Sequence, residues 1–312
     1  MINKIDIDAA VVGIANTLKI RHPSPIQKLS ESIFSHSDMW VKRDDLLHPI
    51  ISGNKWRKLQ ITLAKAILSG SKRVLSFGGG YSNHLHALSY ACSKLDLHCT
   101  CLVRGNYQDN PTPTITDIQK WGSDIVYVPK VEYAQKQDAS FIERISRQYA
   151  PQVIVPEGGS NTDGMHGVAS LFKEIKTQHL PDIIVLPVGS AGTIAGLIKS
   201  IYQHKCTTQV IGISVLKAGN SHEEAVETLF PMANQVKNWK ILTDFHHGGY
   251  AKSSTQLIDF KKIIEPELGF ALDPIYNTKS FYAINELMSN DEAMQHASIC
   301  VIQTGGNQGA RS

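Results

Sequence analysis

The sequence has few cysteines, and their positions follow no pattern. Five occur in 312 residues, at 92, 99, 101, 206 and 300, without a CxxC pair or the spacing of a zinc site. Disulfide frameworks use an even set of cysteines in a short chain, and zinc sites use closely spaced pairs. The pattern indicates neither, so we expect reduced thiols and no bound metal.

Long hydrophobic runs are also missing. The longest, IIVLPV at 183–188, is far shorter than the roughly 20 apolar residues that cross a bilayer. The N-terminal segment MINKIDIDAAVVG mixes acidic with apolar residues, unlike a signal peptide. We therefore expect a cytoplasmic protein with no membrane partner.

An excess of charge of one sign is the third absence. The 31 basic residues face 28 acidic ones, and no basic run with interleaved aromatic residues is present. Proteins that bind nucleic acids carry such a basic surface, so we expect no nucleic-acid partner. Hydrophobic residues make up 42% and charged residues 19%, as in soluble globular proteins. The length suits two domains or one large α/β domain.

What the sequence does have is an alternation of short β-branched runs with amphipathic stretches. The runs begin at residues 72, 98, 124, 152, 182, 209 and 298, after a first 50 residues that look irregular. Between them lie helical periods such as Leu59, Leu63 and Ala66. Strands that alternate with helices form parallel sheets. The sequence therefore predicts an α/β fold with twisted, mainly parallel sheets flanked by helices.

Glycine-rich segments follow four of these runs. They are FGGGYSN from 77, PEGGSN from 156, PVGSAGT from 187 and TGGNQG from 304. Ligands of α/β sheets bind at the carboxyl ends of the strands. One such segment alone would equally suit an ordinary turn between a strand and a helix, whereas four together indicate a ligand site.

The segment PVGSAGT is typical of an anion site. Backbone N–H groups and hydroxyls at the start of a helix near Thr193 would surround one anion, as phosphate sites require. The segment has neither GxGxxG nor a Walker lysine, so a single phosphate monoester fits better than a dinucleotide or a nucleoside triphosphate. The candidate ligands are Gly189, Ser190, Ala191, Gly192 and Thr193.

The segment GGGYSNH repeats this design. Ser82 and Asn83 stand at the entrance of the next helix, where they would hold a second anion, such as a substrate carboxylate, and a ring oxygen. The alternative is that Ser82 or Asn83 only caps the helix, which is a common role for these residues.

The segment SGNKWRKLQ, residues 52–60, breaks a local rule. Its helix begins with Lys55, Arg57 and Lys58, although the positive end of a helix dipole disfavours cations. Lys55 and Lys58 are three apart and share a helix face, so one can bond a cofactor while the other meets its phosphate. Positive surroundings would lower the pKa of Lys55 and expose a nucleophilic amine. A lysine beside a lone phosphate site indicates pyridoxal phosphate bound as a Schiff base, and a solvated basic helix end is the alternative.

Seven segments stand out along the chain: VKRDDLL (41–47), GNKWRKL (53–59), GGGYSNH (78–84), PEGGSN (156–161), PVGSAGT (187–193), LDPIYNTK (272–279) and TGGNQG (304–309). In this order they resemble the motifs of the 1-aminocyclopropane-1-carboxylate deaminase and D-cysteine desulfhydrase family of fold-type II pyridoxal phosphate enzymes. The resemblance extends over nearly the whole chain from about residue 20. It implies a homodimer in which a small α/β domain, 53–162, is inserted into a large cofactor-binding domain, 1–52 and 163–312.

The resemblance also implies roles for the residues of the candidate site. Lys55 would form the Schiff base, and Lys58 with the 189–193 loop would hold the phosphate. Asn83 would contact the pyridine O3′, and Ser82 the carboxylate of a small amino-acid substrate.

Two tyrosines and two polar residues set the expected reaction. Tyr250 and Tyr276 resemble the family's pair of active-site tyrosines. After the second tyrosine, deaminases carry Glu and desulfhydrases typically Thr, but this chain has Asn277, which can hydrogen-bond the pyridine nitrogen without holding a proton on it. Thr304 is our preferred partner for that nitrogen. A largely unprotonated ring favours β-elimination, with D-cysteine giving pyruvate, ammonia and sulfide, and 1-aminocyclopropane-1-carboxylate deamination is the alternative.

Other features leave alternatives open. Tyr81 and His86 replace the Gln and Arg that the family often has, so the substrate and its stereochemistry stay open. Ser82, Asp244 and His246 follow the order of a serine hydrolase, although the G-x-S-x-G elbow is absent. A non-catalytic carrier of pyridoxal phosphate is the remaining alternative.

Overall fold

The computed structural model describes residues 2–34 and 38–311, which fold into two sheets surrounded by helices. The strands of this part of the chain are β1 (Ile26–Lys28), β2 (Met39–Arg43), β3 (Arg73–Gly79), β4 (His98–Arg104), β5 (Asp124–Val128), β6 (Val153–Val155), β7 (Ile183–Val188), β8 (Gln209–Ser214), β9 (Trp239–Leu242) and β10 (Ile299–Gln303). The helices are α1 (Lys4–Thr17), α2 (Glu31–Phe34), α3 (Asn54–Leu68), α4 (Asn83–Lys94), α5 (Pro113–Lys120), α6 (Lys130–Tyr133), α7 (Ala139–Tyr149), α8 (Thr162–Gln178), α9 (Gly192–Gln203), α10 (Ser221–Leu229), α11 (Thr255–Leu268), α12 (Asn277–Asn290) and α13 (Glu292–His296).

The larger sheet has six strands in the order β1-β2-β10-β7-β8-β9. β1 pairs antiparallel with β2, and the other pairings are parallel. Apolar residues of α8 and α9 cover one face, and those of α11 and α12 cover the other. Helices on both faces of a mainly parallel sheet confirm the predicted α/β class.

The smaller sheet has the order β5-β4-β3-β6, and all of its pairings are parallel. One face packs against α3 and α4, in a cluster that also includes Ile14 of α1 and Leu18, the residue that follows this helix. The opposite face is covered by Phe141 and Ile145 of α7. The domain bounds expected from the family resemblance, 53–162 for the small domain, remain a prediction.

All seven predicted strand runs form strands, but the expectation of an irregular first 50 residues is wrong. That segment contains α1, β1 and β2. β2 escaped prediction because its sequence, MWVKR, ends in two cations. Lys42 is nevertheless fully buried, since its ammonium pairs with Glu174 at 2.9 Å. A carboxylate from a helix that lies far along the sequence thus allows a lysine to be buried in this strand, and the hydrophobic pattern of the strand alone does not show this.

The four glycine-rich segments follow β3, β6, β7 and β10. Each of these strands runs parallel to its neighbours, so the segments lie at the carboxyl ends of the two sheets. Side-chain hydrogen bonds join them in pairs, from Ser160 to Ser190 and from Gln308 to Asn83. Within the described ranges no helix is long and apolar enough to cross a membrane.

Candidate active site

Helix α3 begins where these segments meet, and Gly53 makes this close approach feasible. Gly53 has φ +63°, and a Cβ atom there would lie 1.7 Å from the carbonyl oxygen of Thr304. Glycine alone tolerates both the positive φ and the missing space. The backbone N–H of Asn54 donates to the same carbonyl at 3.3 Å. The start of α3 is therefore held against the segment that follows β10.

The three cations in the first turn of α3 have different surroundings. Arg57 is fully buried, and its guanidinium pairs with Asp44 at 2.6 Å and with Glu174 at 2.8 Å. Lys55 and Lys58 contact neutral oxygens instead, and neither forms an ion pair with any residue that the structure describes. Arg57 therefore anchors the helix, and the two lysines are left for other chemistry.

Burial sets the protonation of both lysines. It lowers the pKa of Lys55 to about 8, although the Asp273 carboxylate partly opposes the shift. The pKa of Lys58 is well below its ordinary value, because the side chain is buried and the Lys55 charge is close. Lys55 is therefore a reactive amine near neutral pH, and Lys58 is a buried amine whose protonated form an anion would stabilise.

Lys58 lies in a polar site between two glycine-rich segments. We call this site the hollow and define it by Lys58, Ser160 and Ser190. Its Nζ donates to Ser160 Oγ at 2.8 Å and to Ser190 Oγ at 3.1 Å. A Cβ on Gly158 would come within 2.8 Å of Ser190 Oγ, and one on Gly192 within 2.8 Å of Ser160 Oγ. Glycine at both positions thus lets the two segments and the lysine come this close together, which any side chain would prevent. A buried amine and two hydroxyls match the oxygens of a phosphate group.

The first turn of α9 supplies further donors to this hollow. Its N-terminus at Gly192 has no side-chain cap. The N–H of Gly192 donates to the Ser190 carbonyl at 2.7 Å, so the N–H groups of the next two residues are the ones left for a ligand. Ala191 adopts φ +56° just before the helix. Thr193 accepts a hydrogen bond from Asn54 Nδ2 at 3.1 Å, which leaves its own hydroxyl hydrogen for another acceptor. The predicted phosphate loop therefore has the chemistry that a phosphate needs.

Ser82 is confirmed as a helix cap. Its Oγ accepts a hydrogen bond from the backbone N–H of Leu85 at 3.2 Å, and its substrate role stays a prediction. No hydrogen bond joins Ser82 to His246 among the described residues, and His246 Nδ1 accepts from the N–H of Gly248. The geometry gives a serine hydrolase no support. Nor does any group of His, Cys, Asp or Glu in the described residues suit a metal ion.

The two predicted tyrosines lie together. The rings of Tyr250 and Tyr276 have centroids 6.3 Å apart and cross at 71°. Tyr276 also lies beside the phosphate loop, where a Cβ on Gly189 would come within 3.1 Å of its ring. Burial and the neighbouring Tyr250 hold the pKa of Tyr276 well above its ordinary value. Tyr276 is therefore a protonated hydrogen-bond donor, and not a phenolate base.

Asn277 is buried and bonded within the protein. Its Nδ2 donates to Asp273 and to the carbonyl of Gly305, and its Oδ1 accepts from the backbone N–H and the hydroxyl of Thr304. The amide therefore has no open position for the pyridine nitrogen, so the expected contact of Asn277 finds no support. It accepts from Thr304 instead, and rotation of that hydroxyl hydrogen would let Thr304 donate to an unprotonated ring nitrogen.

Sequence reasoning missed three polar residues here. Ser160 lies in the segment PEGGSN, which had been singled out for its glycines only. Asp273 accepts hydrogen bonds from the N–H groups of residues 275, 276 and 277, as a cap of α12. Lys279, in the first turn of α12, is fully buried. Each lies in a segment already quoted, but only the fold shows what it contacts.

The sequence as a whole matches the family described as pyridoxal-phosphate dependent enzyme over residues 18–305. The chain belongs to this family. Its cofactor is pyridoxal phosphate, and the hollow around Lys58 fits the phosphate of that cofactor.

Individual members of the family are similar to this chain over most of their length. A bifunctional D-cysteine desulfhydrase/1-aminocyclopropane-1-carboxylate deaminase of Arabidopsis thaliana is 27% identical over 314 residues, 94% of this chain and 78% of that protein. A D-cysteine desulfhydrase of Yersinia pestis is 26% identical over 306 residues, 92% of each chain. The crystal structure of a 1-aminocyclopropane-1-carboxylate deaminase homologue superposes with a TM-score of 0.80 at 26% identity, over 96% of each chain. The fold is thus that of a fold-type II pyridoxal phosphate enzyme.

Proposed function

We propose that this enzyme carries out β-elimination on a small D-amino acid, with D-cysteine as substrate. D-Cysteine and one water give pyruvate, ammonia and hydrogen sulfide. The Cα–H and Cβ–S bonds break, and water later replaces the amino group. Relatives named for this activity and for 1-aminocyclopropane-1-carboxylate deamination both support a reaction at a small amino acid.

The residues that would hold the cofactor are those of the hollow and its rim. Lys58, Ser190 and the first turn of α9 would bind the phosphate, and Lys55 would carry the covalent bond. When bound, pyridoxal phosphate stabilises the negative charge that develops at the α-carbon of an amino acid. Asn83, which follows a strand of the smaller sheet, and Thr304, which follows a strand of the larger sheet, would hydrogen-bond the pyridine ring of the cofactor.

Lys55 and Tyr276 would move the protons. With its pKa lowered to about 8 by burial, the Lys55 amine is suited to take the α-proton from substrate. Tyr276 keeps its phenolic proton because burial raises its pKa, so it can donate toward the departing sulfur. Tyr250, in contact with Tyr276, would position that donor.

The observation that favours elimination is the neutral polar pair Asn277 and Thr304. Asn277 is locked to Thr304, and the nearby Asp273 carboxylate is committed to the N–H groups that begin α12. Neither arrangement supplies a carboxylate that would keep the pyridine nitrogen protonated. Cyclopropane opening has no α-proton to remove and needs a strongly electron-poor ring. Loss of thiolate from D-cysteine requires a less electron-poor ring, because thiolate is a good leaving group.

One preparation tests the cofactor and the reaction. Borohydride should fix pyridoxal phosphate to the peptide that contains Lys55, and Lys55→Ala should abolish this labelling. The same preparation is then assayed with D-cysteine, D-serine, β-chloro-D-alanine, L-cysteine and 1-aminocyclopropane-1-carboxylate. Faster release of 2-oxobutanoate from the last compound than of pyruvate from the others would contradict the proposal. Labelling without turnover of any amino acid would indicate a non-catalytic carrier.

The family resemblance supports the expected homodimer and domain bounds. The sequence supports the expected cytoplasmic location. Sedimentation equilibrium of the purified protein tests the first, with a mass of twice 34.4 kDa as the expected result. Limited proteolysis tests the second, and cell fractionation the third.

A further inference from the structure

A second buried lysine lies near the tyrosine pair and has no role in the proposed chemistry. Lys279 is in the first turn of α12, three residues after Tyr276, and its side chain is fully buried. A cation in the first turn of a helix is disfavoured by the helix dipole, and its burial adds a further cost. A costly arrangement of this kind requires specific partners.

The partners of Lys279 are two backbone carbonyls from separate segments. Its Nζ donates to Gly249 at 2.9 Å and to Val215 at 3.3 Å. Val215 directly follows β8, whereas Gly249 directly precedes Tyr250. The ammonium therefore connects the carboxyl end of a central strand to the segment that carries Tyr250.

The segment 246–252 has little regular structure of its own to hold it. It contains no helix or strand, and four of its residues, His247, Gly248, Gly249 and Ala251, have positive φ angles. Tyr250 itself is 42% exposed, so packing restrains it less than it restrains Tyr276. Contacts from outside the segment must therefore contribute to the position of Tyr250.

We propose that Lys279 is a positioning residue that fixes the segment 246–252 against the end of β8 and so holds Tyr250 in contact with Tyr276. Asp273 makes the burial tolerable, because its carboxylate lies close enough to oppose the lowering of the Lys279 pKa by burial. The kinetic part of this inference rests on the proposed function. The structural part does not, since it concerns the backbone of this segment alone.

Hydrogen exchange of the cofactor-loaded protein, without substrate, tests the structural part. In Lys279→Met, both carbonyls lose their donor, so we expect amides of 246–252 to exchange at least tenfold faster while the rest of the chain is unchanged. Lys42→Met is the matched control, because Lys42 is equally buried but bonds to Ser24 and Glu174. That control should leave the exchange of 246–252 at its native rate.

The kinetic part is tested on whichever substrate the enzyme turns over. We expect Lys279→Met to lower kcat about as much as Tyr250→Phe does, to leave cofactor affinity within threefold, and to add no further loss in the double variant. Native exchange in 246–252, or fully additive losses, would overturn the inference. If the Met variant does not fold, Lys279→Gln keeps an NH₂ donor group on a shorter side chain, so we expect it to reach one of the two carbonyls and to show an intermediate exchange rate; a native rate in it would be equally decisive. Faster exchange in an enzyme that does not act on D-cysteine would refute the proposed function only.

Discussion

Replacement of Lys58 by Met tests whether this lysine serves to bind a ligand or to stabilise the fold. The side chain is 2% exposed and its amine hydrogen-bonds only to hydroxyl oxygens, so the amine is buried without a counter-charge in the described structure. Methionine has a similar length and no charge. The change therefore removes the cation and keeps most of the packing.

The two expected effects have different signs. A hydrogen bond to a charged group contributes about 1.5–3 kcal/mol, so affinity for pyridoxal phosphate should fall roughly 10- to 150-fold. The free energy of unfolding of the apo variant should equal or exceed the wild-type value at pH 7, because folding of the wild type must either bury an unpaired ammonium or remove its proton, and both cost free energy. A residue that served the fold alone would show the reverse.

The pH dependence of apo stability gives a second measure. The pKa of Lys58 is lowered by folding, so between the native pKa and the unfolded pKa the unfolded state binds one more proton. Wild-type stability therefore rises with pH in that window, by up to about 1.4 kcal/mol per pH unit for this one group. Lys58→Met lacks this contribution, so the stability of the wild type relative to the variant should increase as pH rises.

Urea unfolding of the apo proteins between pH 6 and 9, with cofactor titrations followed by absorbance, measures both effects. Lys65→Met is the control, since Lys65 lies two turns further along α3, is 43% exposed and pairs with Asp163. It should change neither cofactor affinity nor the pH slope. Unchanged cofactor affinity in Lys58→Met, together with a loss of apo stability, would refute the phosphate role of the hollow.

Three further predictions concern the same site. Thr193→Ala removes one hydroxyl donor and should weaken cofactor binding by one to two decades, roughly the effect of 1.5–3 kcal/mol, whereas Thr193→Ser should stay near wild type in an equilibrium titration. The rate at which apo protein bonds the cofactor through Lys55 should rise with pH and level off above pH about 8, because only the neutral amine reacts; a rate without this rise would contradict the assignment. Gly53→Ala places a Cβ 1.7 Å from the Thr304 carbonyl, so thermal melts should show lower stability and titrations weaker cofactor binding, and a native-like variant would mean that the two segments are not held together.

The sequence was sufficient for features that depend on local pattern. The parallel strands, the four glycine-rich segments and the helix beginning near Thr193 appear in the structure as predicted, since strand periodicity and glycine punctuation are properties of neighbouring residues. Ser82 illustrates the limit, because the same position and chemistry suit a cap and a ligand.

Features that depend on distant contacts were not predictable. Arg57 looked equivalent to Lys55 and Lys58 in the sequence, but its partner Glu174 lies 117 residues further on. Asn277 looked open to the pyridine nitrogen, and only the contact with Thr304 across 27 residues shows that its amide is occupied. Burial and pairing of this kind are properties of the folded chain.

The close approach of Gly53 to Thr304 limits how the enzyme can open. Because backbone meets backbone there, the lysine that would bear the cofactor and the hydroxyl that would face its ring nitrogen are carried on one rigid unit. No side-chain rotation can change the spacing between the two backbone segments that carry them. Any movement that admits an amino acid must then leave the contact between Gly53 and Thr304 in place and occur elsewhere in the site.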